Sequence, residues 1–501
     1  MLIKQPDFKP HENNGLFFEV DLKKPEMDNK PIRRAEWCSP IFIAATVFFL
    51  LAMIILLLPL LHIQDLIANS ELQGLVGCDA AYDPEGSFSP GCRGSLVESI
   101  PVGLTYDNNS VAFPSTFETW YDMIERANST IDIASFYWSL RNDDVISEPH
   151  PSSKLGEMIF QSIIRKGQQK NVKIRIAQNL PNSKSSNYDT DFLKEQNLAE
   201  VRHLDFSRLV GAGILHTKFI IVDRREFYLG SANMDWRSLT QVKELGIAVR
   251  DCPCFAEDLR KIFEVYWTLG EENAVVPPEW PRSLATIYNK DTPYQFNFNG
   301  NLYPAYLSSS PPIFCPEGRT WDVEAVIDVI RGAKRHIYIA VMDYLPLFAY
   351  SRDAKFWPVI DDALRAAALK RVEVRLLISH WNHTRSEIKY FLKSLVDLTG
   401  IKKNVVIKAR FFQVPSTDEE KRIPYSRVNH NKYMVTDNAV FIGTSNWSAD
   451  YFVNTGGVSL IAKQNPDDDQ SDSLRDQLES VFLRDWVSEY AYDIDTVNGA
   501  S

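Results

Sequence analysis

Two strings in this chain bring together the residue types that phosphoryl transfer needs. His216-Thr-Lys218-Phe-Ile-Ile-Val-Asp223 is followed by Gly230, Ser231 and Asn233, and His430-Asn-Lys432-Tyr-Met-Val-Thr-Asp437 by Gly443, Ser445 and Asn446. A phosphodiester is anionic and repels nucleophiles. Cleaving it without a metal calls for cations around the phosphoryl oxygens, a nucleophile, and an acid for the departing oxygen. Lys218 and Lys432 supply charge, Asn233 and Asn446 carry amides that can donate to the same oxygens, and Ser231 and Ser445 stand beside them. Two imidazoles on opposite sides of phosphorus permit an in-line displacement through a covalent phosphohistidine. No metal or other cofactor enters this scheme.

The spacing has a physical reason. Residues i and i+2 of a strand share a face, so His216 and Lys218 project together, as do His430 and Lys432. Phe219, Ile221, Tyr433 and Val435 then face a packed layer. Asp223 and Asp437 have the opposite parity to the histidines and are expected to be structural groups at strand ends.

One such string arises by chance in a chain this long at roughly a few per cent, but two in repeated context do not. The pair, each copy trailed by Gly and then Asn, resembles the signature of the phospholipase D superfamily across residues 99–490. The resemblance implies two homologous halves sharing one active site. It also implies an acid against the nucleophilic histidine. Glu244 stands 28 residues after His216, where the second copy has Gly456-Gly457, so only one imidazole gains a carboxylate. Glu244 is accordingly expected against His216, making His216 the nucleophile and His430 the general acid, later the base for water. The alternative for Glu244 is an ordinary salt bridge to Lys243 or Arg237.

The strings from Gly230 to Gly246 and from Asn429 to Thr436 resemble the endolysosomal type II branch of that superfamily, the phospholipase D3/D4-like 5′-exonucleases. That implies digestion of single-stranded DNA and RNA in acidic endolysosomes, limiting nucleic-acid sensing, and release of a soluble lumenal form by proteolysis. A phospholipase or transphosphatidylase acting on phosphatidylglycerol-type lipids would use the same histidines, so phospholipid stays open as a partner, as does a second copy of the chain. A catalytically silent scaffold would predict a damaged motif, and both are intact. Phe136, Tyr137, Trp138, Tyr344, Phe348 and Trp357 are candidate base-stacking rings, although core packing is the stronger expectation for most. His380 and His383 read as loop or rim residues.

The elements that must position these groups also come twice. Thr116 to Asn128 is helical in period and leads into the apolar run Thr130 to Trp138; Thr320 to Ala333 leads likewise into His336 to Asp343. Asn171 to Ala177 and Arg371 to Ser379 each add a strand after an amphipathic helix. Helices alternating with strands imply an α/β fold, two α/β/α sandwich halves at 99–295 and 296–490, with a C-terminal tail at 491–501.

Before the halves, Ile41 to Leu61 gives 21 residues without a charge, long enough to span about 30 Å of hydrocarbon as a helix. It reads as a signal anchor at 39–63 between a tail at 1–38 and a Gly/Pro/Ser-rich stalk at 64–98. Lys23, Lys24, Lys30, Arg33 and Arg34 precede it while Asp65 and Glu71 follow, which places the tail in the cytosol and the catalytic bulk in a lumen. The sequons at Asn108, Asn128 and Asn382 agree with a secretory lumen and are expected to be glycosylated; Asn446 forms a sequon too, but lies in the motif and is expected bare. Five of six cysteines follow the anchor, Cys78 with Cys92 being the favoured bridge and Cys252 and Cys254 expected to have separate partners. A net charge of -11 excludes nucleic-acid binding by bulk electrostatics, so a polyanion must meet a local basic site.

Overall fold

Short β-branched and aromatic runs separate into two sheets of the same design. The computed structural model describes residues 92–181, 187–298, 301–350, 354–464 and 473–496. The expected anchor, the cytosolic tail and Cys78 lie outside the described residues. Among those residues no helix is long and apolar enough to cross a membrane.

In chain order the first half contributes β1 (Arg93–Ser99), β2 (Thr130–Ser135), β3 (Trp138–Ser139), β4 (Lys173–Asn179), β5 (Glu200–Leu204), β6 (Phe219–Val222), β7 (Glu226–Gly230), β8 (Met234–Asp235) and β9 (Glu244–Arg250). The second contributes β10 (Tyr294–Phe298), β11 (Asn301–Ser310), β12 (His336–Val341), β13 (Tyr344–Leu345), β14 (Glu373–Ser379), β15 (Ile407–Phe412), β16 (Lys432–Thr436), β17 (Ala439–Gly443), β18 (Trp447–Ser448), β19 (Gly457–Lys463) and β20 (Ala491–Asp493). The first sheet runs β1-β9-β7-β6-β2-β4-β5, and the second repeats that order as β11-β19-β17-β16-β12-β14-β15, adding β10 and β20 at its edges. β2, β4 and β5 are parallel, as are β12, β14 and β15; the motif strands β6 and β16 join them antiparallel.

Packing follows the parity of the motif strands. Phe219, Ile221, Tyr433 and Val435 enter a central core with helices Pro253–Leu269 and Leu474–Val487, to which both sheets contribute. Two outer cores lie on the other faces, one under helices Thr116–Arg126 and Lys154–Gly167, the other under Asp322–Gly332 and Val359–Leu369. Ser115 caps the first of these helices, its hydroxyl accepting from the Glu118 amide while Glu118 reaches back.

Three expectations are corrected at the margins. Arg93 to Glu98, assigned to the stalk, form with Ser99 an edge strand; only Leu96 and Val97 are apolar in that run, and both are fully buried. The division at 295 falls inside β10, which hairpins with β11 into the second sheet. Ala491–Asp493, assigned to the tail, pairs with β15.

The favoured Cys78–Cys92 bridge is also replaced. Cys92 is joined to Cys252, with Cα atoms 4.5 Å apart. Antiparallel pairing of β1 with β9 sets Arg93 opposite Arg250, bringing the residues just outside that register face to face. Cys254 is disulfide-bonded separately, and Cys315 is free.

Candidate active site

The two histidine segments are held by backbone from the opposite half. His216 and Lys218 lie in extended chain just before β6, not within it, whereas Lys432 opens β16. The His216 N–H donates to the Gly456 carbonyl (2.9 Å), and the Gly456 N–H to the Ile214 carbonyl (2.9 Å). The His430 N–H donates to the Lys243 carbonyl (2.8 Å), and the Lys243 N–H to the Val428 carbonyl (2.9 Å). Each motif therefore needs the other half to stand where it does.

That exchange decides where the carboxylate goes. Because Lys243 runs beside Asn429, the Glu244 side chain meets His430, with Nδ1 at 2.9 and 3.1 Å from its two oxygens. The expectation of Glu244 against His216 is corrected, and the salt bridges to Lys243 or Arg237 are not formed. His216 instead uses Nδ1 toward the Thr444 carbonyl at 2.9 Å. A carbonyl only accepts, so Nδ1 carries the proton and Nε2 keeps its lone pair. The counterpart of Glu244 is Gly457, where any Cβ would run into the Ser445 hydroxyl.

The remaining groups are buried at the meeting of the halves: His216 is 5% exposed, His430 8%, Lys218 2% and Lys432 1%. The Lys218 and Lys432 ammoniums donate to the carbonyls of His216 and His430, within their own motifs. Burial, with Lys432 adding repulsion, holds Lys218 well below its usual range; burial brings Lys432 down to about 7 against the pull of Glu244 and Asp343. Burial, then Lys218, Lys432 and His430, hold His216 well below 6.5. Burial lowers His430 as well, but Glu244 opposes it. Burial would raise Glu244; His430, Lys432 and Ser231 outweigh it and keep the group ionised.

Asn233 and Asn446 each have a side-chain oxygen buried without a partner, while their amide nitrogens face Tyr137 (3.4 Å) and Tyr451 (3.1 Å). Ser231, proposed for phosphate, is spent on Glu244, its hydroxyl donating to Oε2 at 2.5 Å. Its counterpart is Thr444 and not Ser445: Leu245 N–H donates to Ser231 Oγ, and Val458 N–H to Thr444 Oγ1. The Ser445 hydroxyl is buried and unbonded.

The profile of the family described as "PLD3/4, PLD-like domain" matches residues 108–417. The chain belongs to that phospholipase D family. It is 44% identical over 500 residues to the 5'-3' exonuclease PLD3 of Xenopus laevis, covering 99% of this chain and 98% of the relative. It is 47% identical over 419 residues to the human 5'-3' exonuclease PLD3, covering 83% and 82%. The fold is that of phosphatidylserine synthase from Haemophilus influenzae, with a TM-score of 0.51 at 12% identity over 76% of this chain and 86% of that one.

In this phospholipase D chain the two motif aspartates accept backbone bonds at strand starts. Asp223 takes the N–H groups of Asn128, Ser129 and Thr130 (2.7–2.9 Å), and Asp437 those of Lys334, Arg335 and His336 (2.9–3.4 Å). The sequence reading passed over Asp343, Tyr451 and the partners of Tyr137. Asp343, half-buried, points an oxygen at Asn446 and is raised by burial to about 6 against Lys432 and Arg385. It occupies the position after β12 that Tyr137 holds after β2, so aligning the halves residue by residue is the signal that finds both. Tyr451 packs its ring edge against His216, 4.9 Å between centroids, and Phe136 lies at 5.4 Å from it. Trp138 and Tyr344 are core, Phe348 lies beside Lys355, and Trp357 stacks on Phe452. His380 bonds Tyr492, and His383 is exposed.

Proposed function

We propose that this phospholipase D family chain is a phosphodiesterase acting as a 5′-3′ exonuclease on single-stranded DNA and RNA. The observation that carries the reading is the reciprocal backbone exchange that sets both His/Lys pairs into one buried site. Relatives named as 5'-3' exonucleases over most of their length support the substrate class.

The residue roles follow from the proton balance. His216 is the nucleophile: burial and three cationic neighbours keep it unprotonated, and its Nε2 lone pair is free because Nδ1–H is engaged by Thr444. As the Nε2–P bond forms, the P–O bond to the leaving strand breaks, and His430 passes its Nε2 proton to that oxygen. Glu244 serves this acid, making a proton on His430 less costly, instead of serving the nucleophile. A water then gives its proton to His430, attacks phosphorus and frees His216. Lys218, Lys432, Asn233 and Asn446 hold the phosphoryl oxygens. Ser231 orients Glu244, while Asp223 and Asp437 steady the strands that carry the motifs.

A membrane-anchored form with its catalytic part in an acidic lumen fits the rest. The Cys92–Cys252 disulfide suits an oxidising compartment, and Asn108, Asn128 and Asn382 are exposed. The test is to offer the full chain, at about pH 5, single-stranded oligonucleotides and separately phosphatidylglycerol-type vesicles. Mononucleotide release that is lost in His216→Ala supports the reading; turnover of lipid alone contradicts it.

A further inference from the structure

His383 and Arg385, two residues apart, each pair with an exposed tyrosine, and the four make a strip outside the catalytic groups. His383 lies flat on Tyr425, with centroids 4.8 Å apart and planes at 18°, and Trp381 meets His383 edge-on at 4.7 Å. Two residues further on, Arg385 holds its guanidinium 5.0 Å over the ring of Tyr350. Tyr350 is 62% exposed and Tyr425 61%, so both rings are open to a ligand.

Both ends of the strip are tied to the catalytic centre. The Tyr350 hydroxyl meets that of Tyr451 at 3.3 Å, and Tyr451 packs on His216. At the other end, Pro424, next to Tyr425, accepts from Arg237, whose guanidinium grips Asp235; Asp235 accepts from Tyr137, the neighbour of Asn233. The strip thus runs from Tyr451, the second-half residue packed on His216, to the residues beside Asn233, the phosphate-binding amide of the first half.

We propose that Tyr350, Arg385, His383 and Tyr425 form a base-stacking rim for the nucleotides beyond the one being cleaved. The proposal rests on the nuclease reading and adds where the strand lies. Every base has a π-face, so rings and a planar guanidinium bind any sequence, but only when the bases are unpaired. With a net charge of -11, bulk attraction for a polyphosphate backbone is absent, and stacking must supply the grip. A lipid chain would call for a continuous apolar groove, whereas here the rings alternate with a guanidinium and an imidazole.

The test compares Tyr425→Ala, His383→Ala and the double variant in the full chain. All carry Asn382→Gln, because that exposed sequon adjoins His383. Two substrates separate the terms: a single strand of about 20 nucleotides, which reaches the rim, and bis(p-nitrophenyl) phosphate, which does not. The expected result for the double variant is a KM on the long strand raised roughly tenfold or more, with kcat little changed and Tyr425→Trp restoring it. Its kcat/KM on the small ester stays at the parent value, which also reports intact folding. An unchanged KM on the long strand, or parallel losses on both substrates, overturns the rim. A parent that cleaves the small ester but releases no mononucleotide overturns the nuclease reading, and the rim with it.

Discussion

Glu244 of the first half bonds Nδ1 of His430 in the second, 186 residues away, at 2.9 and 3.1 Å. Both groups are buried, so the carboxylate acts on the imidazole with little screening by water.

Replacing that carboxylate tests the acid's role. Glu244→Gln removes the group that raises His430, so the protonated acid persists only to lower pH. The limb on which kcat/KM falls with rising pH shifts acidward, and the rate drops about a hundredfold at the parent's optimum. An unshifted limb, or one displaced to higher pH, counts against the assignment.

The lysines give a proton signature on ligand binding. Lys432 titrates at about 7 in the free protein and Lys218 well below its ordinary value, so a bound phosphate recharges them. Calorimetry of inorganic phosphate near pH 8, in buffers of different ionisation enthalpy, should show net proton uptake. Linkage has the matching sign. The unfolded chain holds these protons up to about 10.4, so their burial costs stability below that pH, with the full loss reached as pH falls through the folded values. Phosphate therefore raises the melting temperature more at pH 6 than at pH 9, and equal shifts would argue that the lysines are already charged.

Asp223 and Asp437 make a prediction of the opposite kind. Ala at either position orphans three backbone donors at a strand start, costing about 2–4 kcal/mol of stability while leaving kcat near the parent value in protein that remains folded. Both carboxyls lie below their usual 3.8, since backbone bonds outweigh burial, so these contributions are intact at pH 5 and are lost only in stronger acid. Loss of kcat at unchanged stability would make them substrate contacts.

Much of this was legible from the chain alone, and for a physical reason. His/Lys spacing, apolar runs and the repeated helix-strand order are local, so the α/β halves, the motif groups and the structural aspartates could be read directly. Glu244's partner could not be, because nothing within its own half shows that Lys243 lies beside Asn429. Cys252 is the same case: its partner is set by the register of β1, a strand with two apolar residues and too faint a pattern to recognise. Ser231 misled because its true counterpart, Thr444, was hidden by the nearer-looking Ser445.

A buried ion cluster carries a further prediction about how the halves are joined. Lys243 of the first half meets Asp485 of the second at 2.7 Å, and Arg484 reaches back to Glu98 at 2.6 Å. Lys243→Met leaves Asp485 short of a cation and should cost about 3–5 kcal/mol in urea unfolding, with activity and stability lost in step. A neutral substitution would show that the exchange of backbone bonds suffices.

The central claim, one shared site with His216 attacking and Glu244-backed His430 as acid, is tested most directly by trapping the intermediate. The His430→Ala chain is mixed with a nucleoside 3′-(p-nitrophenyl phosphate) labelled at phosphorus, whose leaving group departs without an acid, then quenched in alkali and mapped by mass spectrometry. Label on His216, absent when His216 is replaced, is the predicted result. Label on His430 of the parent chain, with none on His216, would contradict it.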